Sequence, residues 1–345
     1  GTKKMESKLF PQIQPGQVYA DWTGAALPPV SLIQEWSAHL STTLLGNPHS
    51  GHAPSLRAAA EMNEVREAVL RYLHAPPDEY EVIFTSGATG SIRLLEHYEF
   101  GGGQLLLTAD NHNSVHGLRE TAKRAGALVT YAPIKGVKEG LILDEKELSF
   151  LLSHPRSRTG NRLFAYPAKS NYSGNIHNLQ WVEYAHKCGW DVMLDAAAFL
   201  ANDQLDLSLV KPDFVPISFY KLFGFPTGVG AMVVHRRMFP KLHKKHFAGG
   251  AIMLVSVQRD FFVPEAQGSA RFEDGSPNFG MIGAVKNGLD FLESLGDRKA
   301  HSVAVATGVW NTIYRRKDPE TGAQIAIHTP RGNDIIAFSV VKNGK

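Results

Sequence analysis

The stretch Ser218-Phe-Tyr-Lys-Leu-Phe-Gly-Phe-Pro-Thr-Gly-Val-Gly230 places Lys221 directly after an apolar run and before a turn rich in glycine and proline. The preceding run, Phe214–Phe219, and the following run, Gly230–Val234, have the composition of β-strands. Burial disfavours the charged form of a lysine, and the neutral amine is the nucleophile of carbonyl chemistry. Lys221 is therefore a candidate carbonyl-binding lysine, although a lysine at a strand end can also extend into solvent.

Two further motifs precede this lysine and change the balance between those readings. The apolar strand Asp191–Asp195 ends in an acid, and the turn Thr85–Gly90 follows the strand Glu81–Phe84 and opens a helix. Pyridoxal phosphate (PLP) enzymes use a lysine for the aldehyde and an aspartate for the ring nitrogen. Small and hydroxyl-bearing residues at a helix N-terminus favour phosphate binding. The three motifs together predict a PLP site.

The chain alternates between strand and helix patterns over most of its length, which predicts a mainly parallel sheet covered by helices. The predicted strands lie near residues 81–85, 104–109, 128–133, 162–166, 191–195 and 214–218. Ligands of such sheets bind outside the carboxyl ends of the strands. The polar motifs that follow these ends are Ser86–Thr89, His112, Asn171, Asp195 and Lys221. We therefore expect these motifs to lie along one edge of the sheet.

With these motifs the chain resembles class V aminotransferase-fold enzymes and, among them, the desulfurase domain of molybdenum cofactor sulfurases. The resemblance runs from about Tyr19 to about Leu295. The segments that carry it are Gly46–Ser50, Glu81–Thr89, Tyr166–Gly174, Asp213–Gly228 and Arg271–Gly275. It implies the α/β fold of PLP-dependent transferases of fold type I, a mainly parallel seven-stranded sheet with a second, smaller α/β domain.

The resemblance also implies a domain organisation. Residues 1–53 would form an N-terminal arm and part of the small domain, and residues 54–280 the large PLP-binding domain. Residues 281–345 would form a small C-terminal domain, which the resemblance implies is incomplete. The family's catalytic cysteine loop and its substrate-carboxylate arginine would follow Lys345.

Roles for individual residues follow from the same resemblance. Lys221 would bind the cofactor aldehyde and act in catalysis, Asp195 would pair with the pyridinium nitrogen, and His112 would stack on the ring and relay protons. Asn171 would bind the phenolic oxygen of the ring. Tyr220, where many desulfurases have a histidine, is counted among the cofactor contacts. The expected phosphate contacts are Ser86, Gly87, Ala88, Thr89 and Ser218.

The substrate side and the partner subunit complete the implied site. Asn47, Gly24 and Ala25 would contact the substrate, a turn residue being the alternative for Asn47. Ser276 would reach the phosphate of a partner subunit, which implies a homodimer, although a surface turn would look alike.

The implied function is cleavage of a C–S bond in L-cysteine or a related sulfur amino acid by a PLP-dependent cysteine desulfurase, which passes sulfur to an acceptor. A PLP-dependent aminotransferase, a β-eliminating lyase and a non-catalytic scaffold stay open as alternatives. The single cysteine, Cys188, precedes a core strand, so we interpret it as a buried structural thiol.

Charge and composition bear on the partners, metal binding and cellular location of the protein. The net charge is +3, from 36 basic and 33 acidic side chains, which gives no support for nucleic-acid or membrane partners. The basic cluster His235–His246 is typical of a solvated surface helix. His49 and His52 lack a carboxylate at ligand spacing, so we predict no metal site. One cysteine and the lack of an apolar run of about 20 residues lead us to expect a cytoplasmic protein.

Overall fold

A computed structural model describes residues 9–137, 140–266 and 268–342. The chain groups into two compact units. The first unit comprises residues 1–99 and 205–296, and the second comprises residues 100–204 and 297–345. The sequence-based domain boundaries stay a prediction.

The strands of the described residues are numbered in chain order. They are β1 (Tyr80–Thr85), β2 (Gln104–Thr108), β3 (Leu128–Ala132), β4 (Ile134–Val137), β5 (Gly140–Leu143), β6 (Arg162–Pro167), β7 (Asp191–Asp195), β8 (Phe214–Ser218), β9 (Gly230–His235), β10 (Ile252–Ser256), β11 (Phe261–Pro264), β12 (Gln324–Ile327) and β13 (Phe338–Val341).

The α-helices are numbered in the same way. They are α1 (Val30–Thr42), α2 (Ala53–Tyr72), α3 (Ala88–Arg93), α4 (Asn113–His116), α5 (Leu118–Arg124), α6 (Glu145–Ser153), α7 (Trp181–Lys187), α8 (Phe219–Phe223), α9 (Ser269–Phe272), α10 (Phe279–Ile282), α11 (Ala284–Ser294) and α12 (Arg298–Ile313). Two 3₁₀ helices cover Leu94–His97 and Arg236–Lys241.

The central sheet has seven strands in the order β1-β9-β8-β7-β6-β2-β3. Strand β2 runs parallel to β3 and to β6, and β6 runs parallel to β7. Strand β9 is antiparallel to both of its neighbours, β1 and β8. The predicted fold class, a mainly parallel seven-stranded sheet within an α/β fold, is confirmed.

In the first unit, the core forms between strands and an amphipathic helix. Helix α2 buries one stripe, which includes Ala58, Met62, Val65 and Val69, and it packs against β1. The stripe recurs at three- and four-residue spacing, as a helix that covers a sheet requires.

In the second unit, strands β2, β6 and β7 are buried almost without interruption. Their sequences read as continuous apolar runs because helices cover both faces of a parallel sheet. The polar residues therefore concentrate just after the strand ends, where the chain leaves the core. In this unit, Asp195 lies at such a strand end.

Several local expectations differ from the structure. Arg236–Lys241 forms a 3₁₀ helix where a surface helix was predicted. Cys188 is half-buried instead of buried. The hairpins β4–β5 and β10–β11 were not predicted. Among the described residues, every helix is too short or too polar to cross a lipid bilayer.

Candidate functional site

Lys221 lies in the short helix α8, directly after β8, whose five residues are all buried. The side chain is half-buried, and its Nζ makes no hydrogen bond or ion pair with the described residues. The helix ends at Gly224, whose φ of 79° lies in the left-handed region that glycine favours. An amine without a counter-ion at the end of a core strand is available for covalent bonding to an aldehyde.

The strand register of the first unit brings this lysine and the predicted phosphate turn to the same edge of the sheet. Thr85, the last residue of β1, pairs with Gly230, and so does Ser218, the last residue of β8. Because two inter-strand spacings separate them, the ends of β1 and β8 are about 10 Å apart. The turn at Ser86 and the helix of Lys221 start from those two ends.

The turn after β1 has the features of an anion cradle. Gly87 has a φ of 132°, and the N–H groups of Gly87 and Ala88 donate to no group in the described part of the chain. The carbonyl of Gly87 accepts hydrogen bonds from the Thr85 and Ser91 hydroxyls at 2.9 and 3.2 Å, which fixes the peptide plane. Two unpaired amide donors at the start of a helix favour an anionic ligand.

The Gly87 turn folds directly over Gly230, so the site depends on the missing side chain there. A Cβ at Gly230 would lie 2.5 Å from Gly87 Cα and 2.6 Å from Ile217 O. We expect Gly230→Ala to displace the turn and to raise the Kd for PLP about 10- to 100-fold. A change of this size corresponds to the loss of one charge-assisted hydrogen bond to the phosphate.

Titration of apo protein with PLP, followed by fluorescence, measures this effect. Gly280→Ala is the matched control, because a Cβ at Gly280 meets nothing within 4 Å. Equal PLP affinity for the two folded variants would contradict the assignment of the turn.

The segment predicted to face the substrate lies beside the lysine helix. A Cβ at Gly224 would lie 2.6 Å from Leu27 C and 2.7 Å from Ala26 O, so the backbone of Gly224 packs directly against the backbone of these two residues. The Tyr19 hydroxyl donates to Ala25 O at 2.7 Å and holds the preceding turn, which contains Gly24. The residues that directly follow Gly24 and Ala25 thus lie against the C-terminal end of helix α8.

Three other predicted cofactor contacts lie in the same unit. Ser218 is buried at the end of β8, and Tyr220 is half-buried in the first turn of α8. Thr89 lies in the first turn of α3, which packs against β8 and β9. All three are thus at the edge where β1 and β8 end.

Asn47 and Ser276, which the sequence assigned to separate roles, lie together. Asn47 Nδ2 donates to Ser276 Oγ at 3.0 Å, and the neighbouring His49 Nε2 lies 3.1 Å from Gly275 O. Asn47 and Ser276 therefore form one polar cluster, and we expect both to face the same ligand site.

Asp195 occupies the corresponding edge of the second unit. It ends β7, pairs in register with Pro167 of β6, and is 7% exposed. Its Oδ1 accepts the backbone N–H of Ala197 at 3.0 Å, which fixes the plane of the carboxylate. A buried and oriented carboxylate suits the recognition of a protonated ring nitrogen.

His112 caps the short helix α4 with its own side chain. Its Nδ1 accepts the backbone N–H of Ser114 at 3.1 Å. This contact fixes the ring plane and assigns the proton of the neutral ring to Nε2. Any proton exchange with a ligand would therefore pass through Nε2.

Asn171 lies in the loop between β6 and α7. The side chain is exposed and makes no hydrogen bond with the described residues, so its amide is available to a ligand. The loop itself is fixed by Ser170, whose N–H donates to Asn175 O at 2.9 Å and whose carbonyl accepts from Gly174 N at 3.0 Å.

Sequence reasoning missed the ion pair that anchors the segment of Ser276. Glu273 binds Arg66 Nη2 at 2.7 Å through both carboxylate oxygens and accepts the N–H of Phe84 in β1 at 2.8 Å. Arg66 also lies over the Phe84 ring, 4.8 Å from its centre. Glu273 belongs to the Arg271–Gly275 motif, but nothing in the sequence identifies its partner.

One group of possible metal ligands occurs in the described residues, in the first unit. Donor atoms of Glu96, His97 and His246 lie within 4.8 Å of one another. The Lys245 backbone N–H donates to His97 Nδ1 at 3.4 Å, and His246 Nε2 lies 3.5 Å from Asp274, which pairs with the Lys244 ammonium. The absence of a metal stays a prediction.

Comparisons with known proteins identify the family and the fold of the chain. Residues 18–338 match the model of the aminotransferase class V family. Human molybdenum cofactor sulfurase is 36% identical over 349 aligned residues, which cover 95% of this chain and 38% of the human protein. The chain thus spans well under half the length of the curated relatives that it matches.

Two solved proteins resemble the chain in structure. The cysteine desulfurase CsdA from Escherichia coli has a TM-score of 0.81 at 22% identity. The alignment covers 98% of this chain and 82% of the CsdA chain. C-DES, a cystine C-S lyase solved with cysteine persulfide, has a TM-score of 0.74 at 15% identity. The alignment covers 96% of this chain and 86% of the C-DES chain. At these identities the likeness establishes the fold alone. Since the family model matches nearly the full length, the chain belongs to the aminotransferase class V family.

Proposed function

We propose that this chain is the desulfurase part of an enzyme of the molybdenum cofactor sulfurase type. It would use PLP to cleave the C–S bond of L-cysteine or of a related sulfur amino acid. The observation that carries the proposal is the shared register of Thr85 and Ser218 with Gly230, which sets an unpaired lysine amine beside an anion cradle.

The residues of each unit fit PLP. The first unit offers the Lys221 amine for the aldehyde, with the Gly87 and Ala88 amides for the phosphate. The second unit offers a buried carboxylate, Asp195, and an aromatic ring of fixed orientation, His112. An aldehyde, a phosphate, a basic ring nitrogen and a flat aromatic face are the features of PLP that these groups would recognise.

Each residue would contribute one step to the reaction. Bound PLP would supply an electron sink for the pair left when the substrate Cα–H bond breaks. Lys221 would hold the aldehyde at rest and, once released by the substrate amine, would take the Cα proton. Asp195 would keep a proton on the ring nitrogen.

The other predicted contacts would orient the reactants. The His112 ring would stack on the cofactor face, and its Nε2 could exchange a proton with the substrate. Asn171 would bind the phenolic oxygen. Ser86, Thr89, Ser218 and Tyr220 would complete the cofactor contacts.

The substrate would meet Gly24, Ala25 and Asn47, and a thiol would accept the sulfur. Because Asn47 and Ser276 are hydrogen-bonded, we propose that they act together on the site of a partner subunit. The apolar hairpin β10–β11 supports a homodimer, since Met253 is 67% exposed and Val257 is 87% exposed. We also propose a cytoplasmic location.

Product analysis tests the proposed function. The chain, loaded with PLP, is incubated with L-cysteine and excess dithiothreitol as the sulfur acceptor. We expect equal amounts of alanine and sulfide, because attack of one dithiothreitol thiol on the substrate sulfur leaves alanine and a persulfide, and the second thiol then displaces sulfide as the cyclic disulfide forms. Cys188→Ser should turn over like the wild type, since Cys188 is half-buried at the end of α7.

Other products would select another reaction. Pyruvate and ammonia in place of alanine would indicate a β-eliminating lyase. Turnover that requires a 2-keto acid and yields the matching amino acid would indicate an aminotransferase. A chain that binds PLP but converts none of these substrates would be a scaffold, and the proposal would be wrong.

A further inference from the structure

A buried histidine–aspartate pair lies among the loops of the second unit. His177 Nε2 is 2.8 Å from Asp110 Oδ2, and the two side chains are 2% and 6% exposed. Burial by itself would raise the pKa of Asp110, but the hydrogen bond and charge of His177, together with hydrogen bonds from Thr108 and the backbone, lower the pKa of that carboxyl below its ordinary value. The sequence separation of 67 residues means that this contact joins two distant loops.

On one side, the pair connects to the loop of Asn171 and to Asp195. The His177 N–H donates to Ala168 O at 3.0 Å, and the Ala168 N–H donates to Asp195 O at 2.9 Å. Residues 168 and 177 are thus the two ends of the loop that carries Asn171, closed by a hydrogen bond. His177 therefore lies at the base of that loop, and Ala168 links it to the backbone of Asp195.

On the other side, the pair connects to His112, which lies two residues after Asp110. The intervening Asn111 is clamped between two strands, because its Nδ2 donates to Thr108 O and to Ala165 O, each at 2.9 Å. With Asn111 clamped and Asp110 held by His177, the backbone entering His112 has little freedom. The N-cap contact with Ser114 then fixes the imidazole ring.

We propose that His177 is a positioning residue of the cofactor site, because its hydrogen bond to Asp110 sets the relative placement of the loops that carry His112, Asn171 and Asp195. This inference rests on the proposed function for its catalytic consequence, but not for the placement itself. Both side chains are buried, so they would act through the loops that they join and not by contact with a ligand.

Three variants test this role. His177→Leu removes the donor and leaves Asp110 buried without it, whereas His177→Gln restores an N–H donor on a flexible side chain. His39→Leu is the matched control, because His39 also pairs with a carboxylate, Glu61, at 3.2 Å, but in the first unit. Thermal unfolding shows which variants are folded.

The first readout needs no cofactor. In apo protein labelled with ¹⁵N-histidine, we expect His177→Leu to shift the ring signals of His112, and His177→Gln to restore them. In holoenzyme, we expect His177→Leu to lower kcat about 10- to 100-fold with a smaller change in KM, since misplacement by about 1 Å costs that much. His177→Gln should recover most of this loss.

The outcomes separate this inference from the proposed function. A folded His177→Leu protein with wild-type His112 signals and wild-type kcat would overturn the positioning role. Shifted His112 signals together with a wild-type protein that binds no PLP would leave the placement intact and overturn the proposed function. Failure of His177→Gln to restore either readout would also count against the hydrogen bond as the cause.

Discussion

Lys221→Ala is expected to lower turnover of L-cysteine by at least about 10³-fold, because it removes both the covalent anchor and the proton acceptor. The yellow adduct that borohydride fixes to the protein should vanish as well. Nothing else in the described residues binds Nζ of Lys221, so the substitution breaks no ion pair and the fold should persist. Product analysis and mass spectrometry after borohydride reduction measure the two losses.

Two further variants make this test specific. Lys221→Arg keeps the positive charge but cannot bond to an aldehyde at neutral pH, so it should be as inactive as the alanine variant. Lys241→Ala replaces another half-buried lysine of the same unit and should retain activity and adduct. A borohydride-stable adduct on Lys221→Ala, at any other lysine, would reject the assignment.

The strands of the central sheet could be predicted because each one is a short apolar run followed by turn residues. Every strand from β1 to β9 in that sheet coincides with a predicted run within two residues. The parallel order followed from the alternation with helices. The hairpins β4–β5 and β10–β11 were missed, because their strands are short and their apolar residues are largely half-exposed or exposed, unlike the buried runs of the central sheet.

Parts of the candidate site could be predicted because residues that follow strand ends meet at one edge. In the first unit Thr85 and Ser218 both pair with Gly230, and in the second unit Asp195 lies opposite Pro167. The roles of these residues stay predictions, since they came from the family resemblance and not from strand position.

The supporting ion pairs could not be predicted, because the sequence does not encode which distant residues meet. Arg66 and Glu273 are 207 residues apart, and His177 and Asp110 are 67 apart. Each charge taken singly is typical of a solvated surface residue. Only the folded chain brings the opposite charges together in the interior.

Lys169 is the strongest case of this kind. Its Nζ lies 2.6 Å from Asp203 Oδ2 and 2.9 Å from Asp334 Oδ2, and the three side chains are 1%, 3% and 6% exposed. Lys299 pairs with the other oxygen of Asp203, and Asn202 Nδ2 donates to Asp334 at 2.6 Å. Two lysines thus balance two aspartates, and the network joins the Asn171 loop to helix α12 through Lys299 and to the segment between β12 and β13 through Asp334.

Lys169→Met should lower the free energy of unfolding by about 3–5 kcal/mol, since it leaves buried carboxylates without their principal counter-ion. The methionine fills similar volume, so the loss reports charge and not a cavity. Lys211→Met is the matched control. Lys211 pairs with Glu79 at 2.7 Å, but these side chains are 42% and 31% exposed, and such pairs contribute at most about 1 kcal/mol. Urea unfolding followed by circular dichroism measures both.

A second substitution separates charge from packing. Adding Asp334→Asn to Lys169→Met removes one of the uncompensated charges and keeps the acceptor for Asn202, so part of the lost stability should return. If instead the double variant is less stable than Lys169→Met, or if Lys169→Met lowers the free energy of unfolding no more than Lys211→Met does, the network is not an electrostatic anchor.

If the network is an anchor of this size, loss of Lys169 should also loosen the loop that carries Asn171, and hydrogen exchange at Ser173 and Gly174 should become faster.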